Sequence, residues 1–343
     1  MKYILIFLLI VQSFLKSDVY FTKKITSSKM VEMLQLLNLD LKGNIGLKIH
    51  SGEPNGLYFL KPDFLQEIYD YTKGTFIECN TAYTSVRSNT ETHRQLLEDN
   101  GWKANNRRIV IMDENPENDF QLQVKNSEKI TNNYVGERLK DYDSCVVLSH
   151  FKGHQMGGFG GALKQLSIGF SSQKGKAWIH TAGKTTNWED TFNEAANQID
   201  FTSAMADAAS TIVDYFRQKG DLGFITVMAN ISLYCDCAGT SAPVPKIKDI
   251  GILASKDPVA IDRAGLDLIK QYVDVGTNDL LNQISRLEGE NTVNVAEKIG
   301  VGSQDYNLID IDEDEDEDDK PKKKNSGTNL IISTGFLLLI FLI

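Results

Sequence analysis

The fold is read from one stretch: Ser144-Cys145-Val146-Val147-Leu148-Ser149-His150-Phe151-Lys152-Gly153-His154-Gln155-Met156-Gly157-Gly158-Phe159-Gly160-Gly161-Ala162-Leu163-Lys164. Residues 144–149 form a short apolar run, the pattern of a buried strand. Five glycines then fall between Gly153 and Gly161, and a helix is expected to begin near Ala162. Strand, glycine loop and helix are the opening of a βαβ unit, and the same alternation extends in both directions. Strands are predicted at 44–49, 75–79, 108–112, 224–231 and 250–254. Helices are predicted at 63–71, 91–100, 201–219, 259–271 and 279–287. Gly101 is expected to sit just past the second helix, and Asp257 to cap the fourth, with Pro258 in its first turn. Alternation of this kind predicts an α/β fold, a mainly parallel sheet with flanking helices, built as one large core or two lobes. In such sheets ligands bind beyond the carboxyl ends of the strands, and the segments that carry chemistry follow strand ends.

In the quoted stretch, glycine at such density is usual where φ must be positive or a ligand must approach the main chain. A helix starting near Ala162 would aim free N–H groups at an anion. Gly157, Gly158, Gly160 and Gly161, with Lys152, are therefore candidate anion or cofactor contacts, the alternative being a purely structural glycine turn. His150 and His154 lie four apart, but Gly153 and the missing Glu exclude an H-E-x-x-H zinc helix. With His180 and Lys164 they form the candidate catalytic set. Arg87, in the polar loop after the 75–79 strand, is a further anion-binding candidate.

Cys235 and Cys237 flank Asp236 after the 224–231 strand. In an extended strand their Cα atoms would lie about 6.7 Å apart with both side chains on one face. That is at the edge of disulfide reach, so the pair reads as two ligands on one metal. Thiolates and imidazoles together suit iron, zinc or nickel. Cys79 and Cys145 sit in strand-like runs and are expected to be buried free thiols.

The chain has 343 residues, 41% of them apolar, with 36 Lys and Arg against 46 Asp and Glu and a net charge of −10. This excludes a wholly disordered chain, a collagen and a polytopic membrane protein. Asp310 and Asp312 through Asp319 supply nine carboxylates, followed by Lys320, Lys322, Lys323 and Lys324, so this block carries half of the net charge. The remaining body is weakly acidic, which argues against binding to a nucleic-acid backbone. Residues 1–17 read as a secretory signal peptide, with one early lysine, a short apolar run, and Val11 and Ser13 at a cleavage site; an N-terminal anchor is the alternative. Residues 18–308 form the body and 309–329 a self-repelling acidic and basic stalk. The apolar tail 330–343 would reach about 21 Å as a helix, short of the roughly 30 Å hydrocarbon core. It reads as a GPI-attachment signal or a short membrane anchor. The expected setting is the secretory pathway or the outer face of a membrane.

Taken together, His150-Phe151-Lys152-Gly153-His154, the run from Gly157 to Lys164, Gly175-Lys176, Cys235-Asp236-Cys237 and the run from Asp249 to Asp262 resemble the family of domain of unknown function 362, uncharacterised proteins described as iron–sulfur-centre-like. The resemblance covers about residues 44–272. Many members of that family carry an inserted ferredoxin-like segment with eight cysteines after the position of His180. Residues 181–202 contain no cysteine, so a ferredoxin-type double cluster is excluded by count. A weaker resemblance is to the lactate racemase family with its nickel pincer cofactor. The expected function is a metal-dependent enzyme, an oxidoreductase or isomerase, acting on a small anionic molecule. The alternatives are a non-catalytic surface module that binds a metal or small anion, and a structural domain with Cys235 and Cys237 oxidised.

Overall fold

The computed structural model describes residues 16–272 and 274–312. Most of the expected signal peptide, most of the expected stalk and all of the apolar tail lie outside these residues. No helix among the described residues is long and apolar enough to cross a membrane.

The chain begins with β1 (Ser17–Thr22), α1 (Ser27–Leu36), β2 (Ile45–Lys48), α2 (Gln66–Thr72), β3 (Thr75–Glu78), α3 (Thr90–Asp99) and β4 (Ile109–Ile111). A small hairpin follows, β5 (Phe120–Gln123) and β6 (Asn132–Val135), then β7 (Ser144–His150). The glycine segment forms β8 (Lys152–His154) and β9 (Gly158–Gly160), and α4 (Ala162–Lys164) runs on into a π turn at Gln165–Gly169. The remaining elements are α5 (Gln173–His180), α6 (Gln198–Arg217), β10 (Leu222–Met228), β11 (Gly251–Ser255), α7 (Pro258–Gln271), α8 (Val275–Arg286), α9 (Gly289–Lys298) and β12 (Tyr306–Asp310).

Eight strands form one sheet in the order β12-β1-β11-β10-β7-β2-β3-β4. All its pairings are parallel except the two made by β11, with β1 and with β10. The central strand β7 is buried along its whole length because helices cover both faces, which is why it reads as an unbroken apolar run. Its side chains alternate between two cores. Val146 and Leu148 pack with Met30, Met33 and Leu34 of α1 and Ile68 of α2. Cys145 and Val147 pack with Ile212, Val213 and Phe216 of α6 and with Val259 and Ile261 of α7. A single sheet thus carries both apolar layers, and no second lobe forms among the described residues.

Local signals act as their chemistry dictates. Gly101 has φ +81°, a conformation glycine adopts without strain. The Asp257 Oδ1 accepts from the N–H groups of Val259 and Ala260 at the start of α7 (2.8 and 3.1 Å), and Pro258 occupies the first turn. Its Oδ2 accepts from the Ser17 hydroxyl and the Ser303 N–H, tying both ends of the described chain to this turn.

The body is longer than the sequence suggests. The expected boundary at 308 falls inside β12, which pairs in parallel with β1 from Ser17↔Tyr306 to Phe21↔Asp310. The carboxylate of Asp312 then accepts from the Thr22 hydroxyl (2.8 Å) and the Lys23 N–H (2.7 Å). The first carboxylates of the acidic run are therefore part of the folded sheet edge.

Candidate functional site

β2, β3, β7 and β10 point the same way. The chain steps from β2 outward to β3 and from β7 outward to β10, so the strand order reverses between β2 and β7. A cavity of about 340 Å³ opens beyond these carboxyl ends, where parallel sheets hold ligands. His50 follows β2, Tyr83 and Arg87 follow β3, and His154 and Lys164 come from the glycine segment. His180 reaches it from the end of α5 and Cys237 from the loop after β10, while Ile168, Met156 and Phe192 give it apolar walls.

Its polar floor is a set of buried ion pairs. Glu78 meets Lys48 (2.8 Å) and Arg87 (3.3 Å), and Arg87 also reaches Glu53 (3.1 Å). The Tyr83 hydroxyl donates to the same Glu53 oxygen at 2.7 Å. Burial alone would raise the Glu78 pKa. The neighbouring Lys48 and Arg87 overcome it and hold the carboxyl well below the usual carboxylate range. Arg87 thus lines the cavity as expected, but its charge is already balanced. Lys152 is balanced too, by Asp236 at 2.8 Å, and it faces a small adjoining crevice rather than the main cavity. Lys164 differs. Among the described residues its ammonium has no ion-pair or hydrogen-bond partner, although it lines the cavity. Burial, and then the positive charges of Lys152 and Arg87, push its pKa down to about 7.

The three histidines expected to act together occupy different environments. His150 is buried with Nδ1 on Asp236 (3.0 Å) and Nε2 on the Ala229 carbonyl (2.7 Å). Both nitrogens are within hydrogen-bond distance of these oxygens, so neither is left for a metal or substrate. His150 ties the loop after β10 to the end of β7, which revises its expected catalytic place. The Nδ1 of His154 accepts from the Met156 and Gly157 N–H groups (3.2 and 2.9 Å), so Nε2 is its remaining nitrogen. Burial, then Lys164 and His180, hold its pKa well below that of a free imidazole. His180 stacks on Phe201, with ring centroids 4.7 Å apart, and its Nδ1 is buried without a partner. Burial, then Lys164 and Lys176, lower its pKa to about 3. His180 thus favours the neutral ring, and its buried Nδ1 has no hydrogen-bond partner among the described residues.

Packing accounts for Gly158 and Gly161, whereas a Cβ on Gly157 or Gly160 would meet only ordinary contacts, at 3.6 and 3.9 Å. The N–H groups of Ala162 and Leu163, expected to face a ligand, donate to the carboxylate of Asp262 (2.7 and 2.9 Å). A Cβ on Gly161 would overlap that carboxylate. Gly158 has φ +77°, and a Cβ there would lie 2.9 Å from the Cα of Gly289. Gly157 donates to His154, and Gly160 lies in the β8–β9 hairpin opposite Lys152. The segment is a close-packed β-turn-helix capped by the protein's own Asp262. The cavity-lining cation it contributes is Lys164.

Cys235 and Cys237 lie closer than an extended strand allows, because the chain turns at Asp236 into a short 3₁₀ segment. Their Cα atoms are 5.1 Å apart and their sulfurs are in bonding contact as a disulfide, not a parted pair of metal ligands. Ligand atoms of His154, Cys235 and Cys237 all lie within 4.8 Å of one another. Two thiolates and an imidazole suit a soft or borderline metal, so the donor set fits once the disulfide is reduced. Because Nδ1 of His154 accepts hydrogen bonds from Met156 and Gly157, binding a metal at Nε2 would require the ring proton to move to Nδ1 and those two bonds to break, while the pH dependence of binding would come from deprotonating the thiols. Cys79 and Cys145 are buried free thiols, and burial raises the Cys145 pKa to about 12.

A family model described as a domain of unknown function (DUF362) matches residues 45–267. The chain belongs to the DUF362 family. No curated protein sequence matches it. Among solved structures, this DUF362 chain is similar to the lactate racemase apoprotein of Thermoanaerobacterium thermosaccharolyticum, at 14% identity and a TM-score of 0.43, over 73% of this chain and 56% of that one. It is also similar to a structural-genomics protein of Thermotoga maritima, at 14% identity and a TM-score of 0.35, over 83% of this chain and 61% of that one. The chain therefore spans less than two thirds of the length of either structure.

Sequence reasoning missed His50, Glu53, Glu78 and Lys176 in this DUF362 site. His50 immediately follows the predicted 44–49 strand, so the strand-end rule alone would have selected it. The Lys176 ammonium donates to the Ser171 carbonyl at 2.6 Å. Gly175-Lys176 is one of the motifs that carry the family resemblance, but the resemblance assigns the lysine no role.

Proposed function

We propose that this chain is an enzyme that takes a small anionic substrate into the cavity beyond β2, β3, β7 and β10. The observation that carries the proposal is Lys164: an ammonium on the cavity wall with no ion-pair partner among the described residues, while Arg87 and Lys152 are each paired. Enclosing an unpaired cation is costly, and an arriving anion relieves that cost. Anion binding at Lys164 also weakens the repulsion that suppresses His154 and His180, raising the basicity of both rings. His180 then serves as the acid–base group through its unpartnered Nδ1, and the apolar wall of Ile168, Met156 and Phe192 excludes water around the reacting end. His154, Cys235 and Cys237, when reduced, would hold a soft metal that supplies Lewis acidity. The apolar ends and the acidic run support delivery of this body to the secretory pathway and its attachment at a membrane surface.

The proposal is tested by titrating small carboxylates and inorganic phosphate into the protein by calorimetry near pH 6, alongside Lys164→Met. Binding in the wild type that is lost in the variant supports it. Equal affinity in both overturns it. Saturable binding without turnover of any bound compound would instead identify a non-catalytic binding module.

A further inference from the structure

We propose that Cys235 and Cys237 are a reversible dithiol–disulfide couple that assembles and dismantles the metal site on the cavity wall. The inference rests on the reading of His154, Cys235 and Cys237 as metal donors, and it adds what controls that site. Three observations carry it. First, the sulfurs are in bonding contact with a Cα separation of 5.1 Å, within the span of a disulfide. The same two sulfurs lie within 4.8 Å of a His154 nitrogen, so the pair cannot serve as a bridge and as two ligands at once. Second, the residue between them is immobilised. The Asp236 carboxylate is held by His150 at 3.0 Å and by Lys152 at 2.8 Å, and the Cys235 N–H donates to Gln155 at 3.2 Å. The thiols are therefore presented to each other by a fixed turn. Third, the two sulfurs differ in access. Cys235 is 1% exposed, whereas Cys237 is partly exposed and lines the main cavity.

The oxidant is a small disulfide, RSSR, entering through the cavity. The Cys237 thiolate attacks one sulfur, the RS–SR bond breaks, and one RS⁻ leaves. The Cys235 thiolate then attacks the Cys237 sulfur of the mixed disulfide and expels the second RS⁻. The two thiol protons pass to the two leaving groups, so the protein loses two electrons and RSSR becomes two RSH. A dithiol reductant reverses the sequence. Cys79 and Cys145 take no part because both are buried with no disulfide partner and neither lines the cavity.

The test uses the full chain, reduced and desalted anaerobically, with Co²⁺ as the metal probe and an aromatic disulfide reagent as the oxidant. The reduced chain is expected to release two equivalents of aromatic thiolate under native conditions, retain no adduct, and lose two hydrogens by mass spectrometry. It should bind one Co²⁺ with a thiolate charge-transfer band, and the oxidised chain should show neither band nor stoichiometric metal. Cys237→Ser, at the more accessible position, should abolish both the native thiolate release and the Co²⁺ band, and it serves as the variant less demanding on folding. A stable mixed adduct in place of an internal bond overturns the inference. So does equal Co²⁺ binding by the reduced and oxidised chains. Internal disulfide formation without Co²⁺ binding by the reduced chain would overturn both the metal reading and the gating built on it, while leaving the anion proposal at Lys164 intact.

Discussion

Replacing Lys164 with Met should make the ligand-free protein more stable while removing its anion binding. Met keeps most of the aliphatic stem and removes the charge. In the folded protein, burial and the neighbouring Lys152 and Arg87 push the Lys164 pKa down from the ordinary 10.5 to about 7. A folded pKa below the unfolded one means that this group's contribution to stability is present above about pH 10.5 and is lost as pH falls through about 7. A shift of this size corresponds to roughly 5 kcal/mol as an upper limit, and solvent entering the cavity reduces it. The expected gain for Lys164→Met is about 2–4 kcal/mol near pH 6, or roughly 5–15 °C in Tm, shrinking towards zero by about pH 10.5. Denaturant unfolding of both proteins across this pH range measures the gain directly. A variant that is no more stable near pH 6, or whose advantage grows with pH, would refute the claim that Lys164 is an uncompensated cation.

Asp262 has the opposite sign. Burial raises its pKa to about 7, so its contribution is fully present below the ordinary carboxylate range and is lost as pH rises through about 7. Asp262→Asn should therefore flatten the pH dependence of stability between about pH 4 and 7, and an unchanged slope in urea titrations would argue against this. Asp236→Asn leaves His150 and Lys152 without their carboxylate and should cost about 3–5 kcal/mol, read as a drop in the denaturation midpoint. Gly161→Ala forces a methyl group into Asp262 and should cost about 1–3 kcal/mol while leaving anion affinity intact in the folded fraction. A specific loss of affinity without a loss of stability would restore the glycines as ligand contacts.

How much of this was legible in the sequence follows from how local each signal is. The β7 run, the Asp257-Pro258 cap and Gly101 depend on neighbours in the chain, and all three behave as their sequences predict. β1 and β12 escaped notice because each is a short strand whose pairing partner lies nearly the full chain away, as in Ser17↔Tyr306. The carboxylate of Asp312 is indistinguishable in sequence from the acidic residues after it, yet it caps the sheet edge at Thr22 and Lys23. The glycine loop was read as an anion cradle because nothing local shows that Asp262, a hundred residues later, occupies the Ala162 and Leu163 N–H groups. His150 and His154 look equivalent in the sequence, and only tertiary partners separate a ring bound at both nitrogens from one with a nitrogen free. Lys152 and Lys164 are equally basic on paper. Asp236 pairs with the first, while the second has no such partner among the described residues and lines the cavity.

The most direct measurement is an NMR titration of the lysine ammonium groups in ¹⁵N-lysine-labelled protein, with and without a small carboxylate. One lysine, missing from the spectra of Lys164→Met, should titrate near pH 7 in the free protein and move upward when the anion binds. If every lysine titrates near its ordinary pKa of about 10.4 and none responds to the anion, the cavity holds no waiting cation and the account is wrong.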